Sequence, residues 1–244
     1  MWTRKELKDR AKQTLKGHYW TAFLASLVLT FATGGGGSAS GASGSGGRNA
    51  DGWLGALLQR PEFTTEVILG ISVATLLLIA FDIFVTGALQ VGGRRYFTSA
   101  CCRQYDLSNL GFGFRRGHYW NIVKTHLLTN LRLLGWTLLF IIPGIVKSIA
   151  YSMVPYILAD NPYLNPKRVI ELSCRMTDGH KGEIFGLGLS FVGWYLLGSL
   201  CCGVGILFVN PYLHSTMAEL YMQLRHQALQ RGDTTMEELC LSYN

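Results

Sequence analysis

The sequence predicts an all-α, polytopic membrane protein with six transmembrane helices arranged as three helical hairpins. Three observations carry that expectation. The 244 residues are 49% hydrophobic and only 15% charged, with a mean hydropathy of +0.23; a soluble domain carries nearer a quarter charged residues, and here the apolar residues fall in long runs. The run Trp136–Pro162, WTLLFIIPGIVKSIAYSMVPYILADNP, is interrupted at Pro143–Gly144 and is apolar again to Asp160, which reads as two crossing helices and a tight turn. A short motif also recurs: Lys16-Gly17-His18-Tyr19-Trp20, then Arg116-Gly117-His118-Tyr119-Trp120, then Gly179-His180-Lys181 without the aromatic pair. Each copy precedes two apolar segments, so the unit is a hairpin and the chain holds it three times.

Residues 1–17 form the first expected element, a cytoplasmic amphipathic helix. Thr3-Arg4-Lys5-Glu6 has capping-box spacing, Leu7, Ala11 and Leu15 share one face, and Gly17 is a natural stop. A basic head before an apolar core and the small residues Ser38–Ser40 also has the order of a signal peptide. The capped, periodic head favours a structured helix over a cleaved leader. The first apolar segment is Tyr19–Thr33. A Gly/Ser/Ala tract, Gly34–Gly47, then opens a flexible outer loop over residues 34–64.

The next segments are Glu66–Val91, Asn121–Ile142, Ile145–Ala159, Ile184–Leu200 and, after a Cys201–Gly205 turn, Ile206–Leu224; residues 225–244 form a cytoplasmic tail. The first and fourth are short for a hydrocarbon core of about 30 Å at ~1.5 Å per residue, so their helices extend beyond the apolar run or the bilayer thins. Before the third copy of the motif, Asn165 can cap a helix with Pro166 in its first turn. Val169, Leu172 and Met176 share a face there, and Gly179 closes it.

Charge supports this count. With both termini inside, only Arg48, Arg60 and Lys147 among the basic residues fall on outer pieces, and Lys124 and Arg132 lie within the third segment. The rest are cytoplasmic, as the positive-inside rule expects. The net charge of +7 therefore sets orientation, and no nucleic-acid partner is implied.

The opening MWTRKELKDRAKQTLKGHYW, the central LLFIIPGIVKSIAYSMVPYILADNP and the closing FVNPYLHSTMAELYMQLR together resemble the bacterial integral-membrane family known as domain of unknown function 975. The resemblance runs over nearly the whole chain, with the Gly/Ser tract as a variable insertion. It implies a multi-pass protein of the bacterial inner membrane. It brings no activity, ligand, cofactor or catalytic residue.

No nucleophile elbow, P-loop, dinucleotide fingerprint or H-E-x-x-H helix occurs, which weighs against an enzyme. The six cysteines include the adjacent pairs Cys101–Cys102 and Cys201–Cys202 and form no C-x-x-C motif. The pointers to function are polar groups within apolar segments, because each is costly there. Asp82, Arg132 and Glu219 could meet in one layer, with Asp82 and Arg132 as an ion pair. Asn210 and His214 lie a turn apart on the most polar segment. Gly182, Gly186, Ser190 and Gly193 offer a face for close helix packing. His18, His118 and His180 hold matching positions in the motif. They would bind a metal only if they converged, and helix-end chemistry is the simpler account.

The expected function is a non-enzymatic membrane protein whose basic cytoplasmic helices contact anionic headgroups or a partner protein. The alternative is a small transporter with a polar interior built from the second, third and sixth segments. A cavity lined by Asp82, Arg132, His214 and Glu219 would favour the alternative.

Overall fold

The computed structural model describes residues 3–16, 18–32, 61–200 and 204–240. The described chain is all-helical. Its elements are α1 (Arg4–Leu15), α2 (Tyr19–Ala32), α3 (Pro61–Phe81), a π-helical turn (Asp82–Thr86), α4 (Gly87–Cys101), a 3₁₀ segment (Leu107–Phe114), α5 (Tyr119–Leu139), α6 (Ile141–Tyr151), α7 (Val154–Asp160), α8 (Pro166–Thr177), α9 (Lys181–Leu200) and α10 (Val204–Arg231). Gly17, residues 33–60 and the Cys201–Gly203 part of the last turn lie outside the described residues. The expected outer loop ends early, because Pro61 already opens α3.

Local chemistry sets the helix ends. The Thr3 hydroxyl accepts from the Glu6 amide at 3.3 Å, and the Asn165 side chain accepts from Lys167 N with Pro166 in the first turn. Both satisfy donors that a helix start leaves open. Gly179 follows α8 at φ +79°, a conformation that costs other residues a clash. The central run breaks elsewhere than expected. Phe140 is extended, at φ −156° and ψ 140°, and Pro143 sits within the first turn of α6, where its missing N–H costs no hydrogen bond. A second break, at Ser152–Met153, precedes α7, which carries Pro155 in its first turn.

Among the described residues, three helical stretches are long and apolar enough to cross a membrane: Ser72–Cys101, Ile141–Asp160 and Lys181–Leu200. The apolar part of α2 is shorter. Helices α5 and α10 have the length but carry Lys124, His126, Asn130 and Arg132, and Asn210, His214, Glu219 and Arg225, respectively.

Burial divides the molecule into two layers. In one, large apolar side chains face outward: Leu76 to Phe84, Leu131 to Val146, and Leu189 to Leu200 include many exposed leucines, isoleucines and aromatics. The other is densely packed. It contains α1, α4, the 3₁₀ segment, α7, α8 and the second half of α10, with Leu7, Tyr96, Ile157, Leu172, Tyr221 and Leu239 essentially inaccessible. The apolar face of α1 closes on α10, and that of α8 on α5, α6 and α7. The 3₁₀ segment lies along α4. A Cβ on Gly92 would collide with the Leu110 backbone, and one on Gly113 with that of Ala88. The small face of α9 does not serve the expected close approach: a Cβ at Gly182 or Gly193 meets open space, and Gly186 lies against the Arg4 guanidinium.

Candidate functional site

Three helices meet at a polar junction in the packed layer. Arg94 of α4 donates through Nη1 to the Tyr156 hydroxyl of α7 at 3.2 Å and lies 2.7 Å from His214 Nδ1 of α10. Its guanidinium also rests 5.1 Å from the centre of the Tyr156 ring. Tyr156 stacks on Tyr221 at 5.1 Å between ring centres. The Tyr221 hydroxyl donates to Asp160 Oδ2 at 2.6 Å, and Arg225 Nη1 reaches the same oxygen at 2.9 Å. Arg95 donates to the Ala159 carbonyl at 2.6 Å, its guanidinium 3.9 Å over Phe112. The Asp160 carboxylate is 10% exposed, so it requires this compensation. The result is two hydrogen-bonded groups, one around Arg94 and one around Asp160, joined by the Tyr156–Tyr221 ring stack and tying α4, α7 and α10 together.

A cavity of about 380 Å³ adjoins this junction, lined by α4, α5, α6, α7 and the π turn. Its polar lining includes Asp82, Gln90, Arg94, His126, Asn130 and Tyr156. The π turn places Asp82 at the rim. A π turn shifts the backbone hydrogen bonds, and the Phe84 carbonyl within it accepts from the Tyr119 hydroxyl at 2.9 Å. Gly87, just after it, lies under the His126 ring, where a Cβ would stand 2.8 Å from Cγ. His126 Nε2 faces two groups, the Asn130 amide at 3.1 Å and Asp82 Oδ2 at 3.7 Å.

The sequence-derived candidates scatter over this architecture. Asp82 lines the cavity, but its neighbour is His126; it makes no ion pair with Arg132. Arg132 is exposed, and its charge bears on Tyr151 and Cys174 instead. Glu219 belongs to the packed layer, where its Oε1 accepts from the Thr14 hydroxyl of α1 at 3.1 Å. The expected Asp82–Arg132–Glu219 layer is therefore not formed: the N-terminal helix occupies the side of α10 on which Glu219 lies. Asn210 ties α10 to α2 through Thr30 Oγ1 at 2.7 Å and accepts from the Tyr195 hydroxyl at 2.8 Å. His214 belongs to the junction.

His18, His118 and His180 share a backbone role. Each stands just before a helix; its N–H donates to the carbonyl three residues back and its carbonyl accepts from the amide four residues on. Their rings diverge. His18 stacks on Tyr105 at 3.8 Å, His118 Nε2 lies 2.8 Å from the Phe112 carbonyl, and His180 Nδ1 lies 3.1 Å from Glu183. Among the described residues no cluster of three or more His, Cys, Asp or Glu side chains could hold a metal. Arg94, Tyr156, Asp160, Tyr221 and Arg225 escaped the sequence reading. Arg94 and Arg225 sit beside apolar runs and read as orientation signals, and Asp160 ends the central motif where it reads as a boundary.

The described residues thus define a helical protein with, among them, three stretches apolar enough for membrane crossing and a packed polar junction beside them. Residues 136–228 match the model of the family described as Protein of unknown function (DUF975). It holds Tyr156, Asp160, His214, Tyr221 and Arg225; the resembling opening segment, Asp82, Arg94 and His126 fall outside it. No curated protein and no solved structure matches the chain.

Proposed function

We propose that this is a non-enzymatic, multi-pass protein of the bacterial inner membrane whose basic cytoplasmic surface holds anionic lipid headgroups. The carrying observation is how α1 and α8 are used. Their apolar stripes are buried within the protein, so neither is left to dip into a bilayer, and Lys5, Arg10, Lys12, Lys16, Lys167 and Arg175 point outward. Exposed Lys and Arg near an anionic surface contribute about 1 kcal/mol each. Trp20 and Trp120, 71% and 60% exposed, stand beside these charges where the two layers meet, as interfacial tryptophans do.

In this reading the outward-facing apolar layer lies in the bilayer as six spans in three hairpins, with both termini cytoplasmic. The repeat then has a physical meaning. The segment before each Gly-His motif packs on the returning helix of the preceding hairpin: the 3₁₀ segment on α4 and α8 on α6 and α7. For the first hairpin the ring closes, because α1 packs on α10, the last returning helix. Arg94, Tyr156 and His214 come from the three returning helices.

The test is lipid retention. The full chain is reconstituted in mixed phosphatidylglycerol and phosphatidylcholine, extracted, and its bound lipid measured. Enrichment of phosphatidylglycerol, reduced in a Lys5→Glu, Lys12→Glu, Lys16→Glu variant, is the expected result. Equal retention of both lipids by the native chain overturns it. Single cysteines replacing Lys16 or Arg116 should be labelled from the cytoplasmic side alone; labelling from outside would reverse the orientation.

A further inference from the structure

We propose that the cavity beside the π turn binds a lipophilic monocation, with the positive charge on Asp82 and the apolar body against α4, α5 and α7. This goes beyond the lipid-contact reading and does not depend on which headgroups α1 and α8 hold.

Three features of the cavity point to this ligand. Its rim carries a single carboxylate, Asp82, whose side chain is 53% exposed. The residues before and after it, Leu77, Leu78, Ile79, Phe81 and Phe84, are exposed apolar groups. A carboxylate in such surroundings is poorly compensated by a histidine 3.7 Å away, which is charged only when protonated. A permanent cation supplies what His126 does not.

The walls away from the rim are mainly apolar, with Val91, Ile122, Leu133, Val154 and Leu158 among them. They match a hydrophobic body, and the volume of about 380 Å³ falls within the range of sites that enclose small organic molecules.

The other charged group of the lining, Arg94, does not make this an anion site. Its Nη1 is held by Tyr156 and His214, and its Nε is buried without a hydrogen-bond partner. It also lies roughly 18 Å along the helix from Asp82 at ~1.5 Å per residue, too far to oppose a cation at the rim strongly. The π turn fits a ligand site as well, since such turns recur where a helix is reshaped for function.

The experiment measures equilibrium binding of radiolabelled tetraphenylphosphonium to the purified full chain in a neutral maltoside detergent. Binding should be saturable, weakened by about tenfold in Asp82→Asn, an effect equal to ~1.4 kcal/mol, and unchanged in Arg132→Gln. Neutral triphenylphosphine oxide should fail to compete. Equal binding by Asp82→Asn overturns the proposal. Where that variant does not fold, the native chain decides alone: competition by the neutral compound as strong as by the cation, or no saturable binding, overturns it, and selective competition by the cation supports it.

Discussion

Arg94 Nη1 lies 2.7 Å from His214 Nδ1, joining residues 120 positions apart. A guanidinium only donates, so Nδ1 of His214 must accept, and the imidazole is held neutral with its proton on Nε2. A second donor–acceptor pair, Arg94 to Tyr156, completes the junction. Removing the acceptor leaves a buried donor on a charged group unsatisfied, at a cost of about 2 kcal/mol. The variant His214→Phe keeps the ring volume and should lower the apparent melting temperature in detergent by roughly 4–8 °C. His214→Gln, whose side-chain carbonyl can accept, should recover part of the loss. Equal melting of His214→Phe and the native chain would show that Arg94 does not depend on His214.

The contact between the 3₁₀ segment and α4 makes a sharper prediction. Gly92→Ala and Gly113→Ala each place a methyl group against backbone rather than a movable side chain. Overpacking costs ~1–3 kcal/mol where neighbours can shift, and backbone shifts least, so each variant should fall at the upper end and show reduced folded yield. Gly193→Ala, in the middle of α9 with open space around its Cβ, should behave as the native chain or slightly better, because alanine favours a helix interior by about 1 kcal/mol. Size-exclusion profiles of the three in one detergent compare them directly.

The helical class and the starts of α1 and α8 were legible in the sequence because their signals are local. The capping threonine before α1, the Asn165-Pro166 start of α8 and the Leu7, Ala11, Leu15 stripe each lie within a few turns of chain. The partners of the polar residues were not legible. Glu219 looks like an intramembrane charge because Ile206–Leu224 is apolar enough to hide that its second half leaves the apolar layer. Its actual partner, Thr14, is 205 residues away. The family resemblance added the central motif and named no residue role, so Tyr156 and Asp160 stood in plain view within it without their partners. The 3₁₀ segment escaped because it has neither a helical stripe nor a cap strong enough to mark it; Asp106, accepting from Ser108 N at 2.9 Å, is its only local signature.

The C-terminal segment is held by Arg168, which bonds Glu238 through Nε at 2.8 Å and Nη2 at 3.2 Å and also donates to the Asp233 carbonyl. Asn161 donates to the Glu238 carbonyl, and Leu239 is fully buried. The Arg168 hydrogen bonds hold the Glu238 carboxyl below the usual glutamate range. Its contribution is therefore complete above the unfolded glutamate pKa of about 4.3 and is lost as pH falls through the lower folded value. A spin label replacing the exposed Glu237 should stay immobilised from neutral pH down to about 5 and gain mobility at more acidic pH. Glu238→Gln should be partly mobile throughout and lose that acid transition. Constant mobility in the native chain across the acid range would show that the carboxylate does not hold the segment.

The last prediction concerns which charge Asp82 answers to. Depth and chain order favoured Arg132 from sequence, since α4 and α5 are consecutive. The geometry instead turns Asp82 toward His126, made possible by Gly87, while Arg132 stands exposed near Tyr151 and Cys174. Residues in contact couple in double-mutant cycles by about 0.5–3 kcal/mol, and separated ones add to within about 0.5 kcal/mol. The cycle Asp82→Asn with His126→Gln should therefore show coupling in apparent melting temperature, growing as pH falls and more of the imidazole is charged. The cycle Asp82→Asn with Arg132→Gln should be additive at every pH. Coupling in the second cycle and none in the first would place the charge of Asp82 with Arg132 and reverse the assignment.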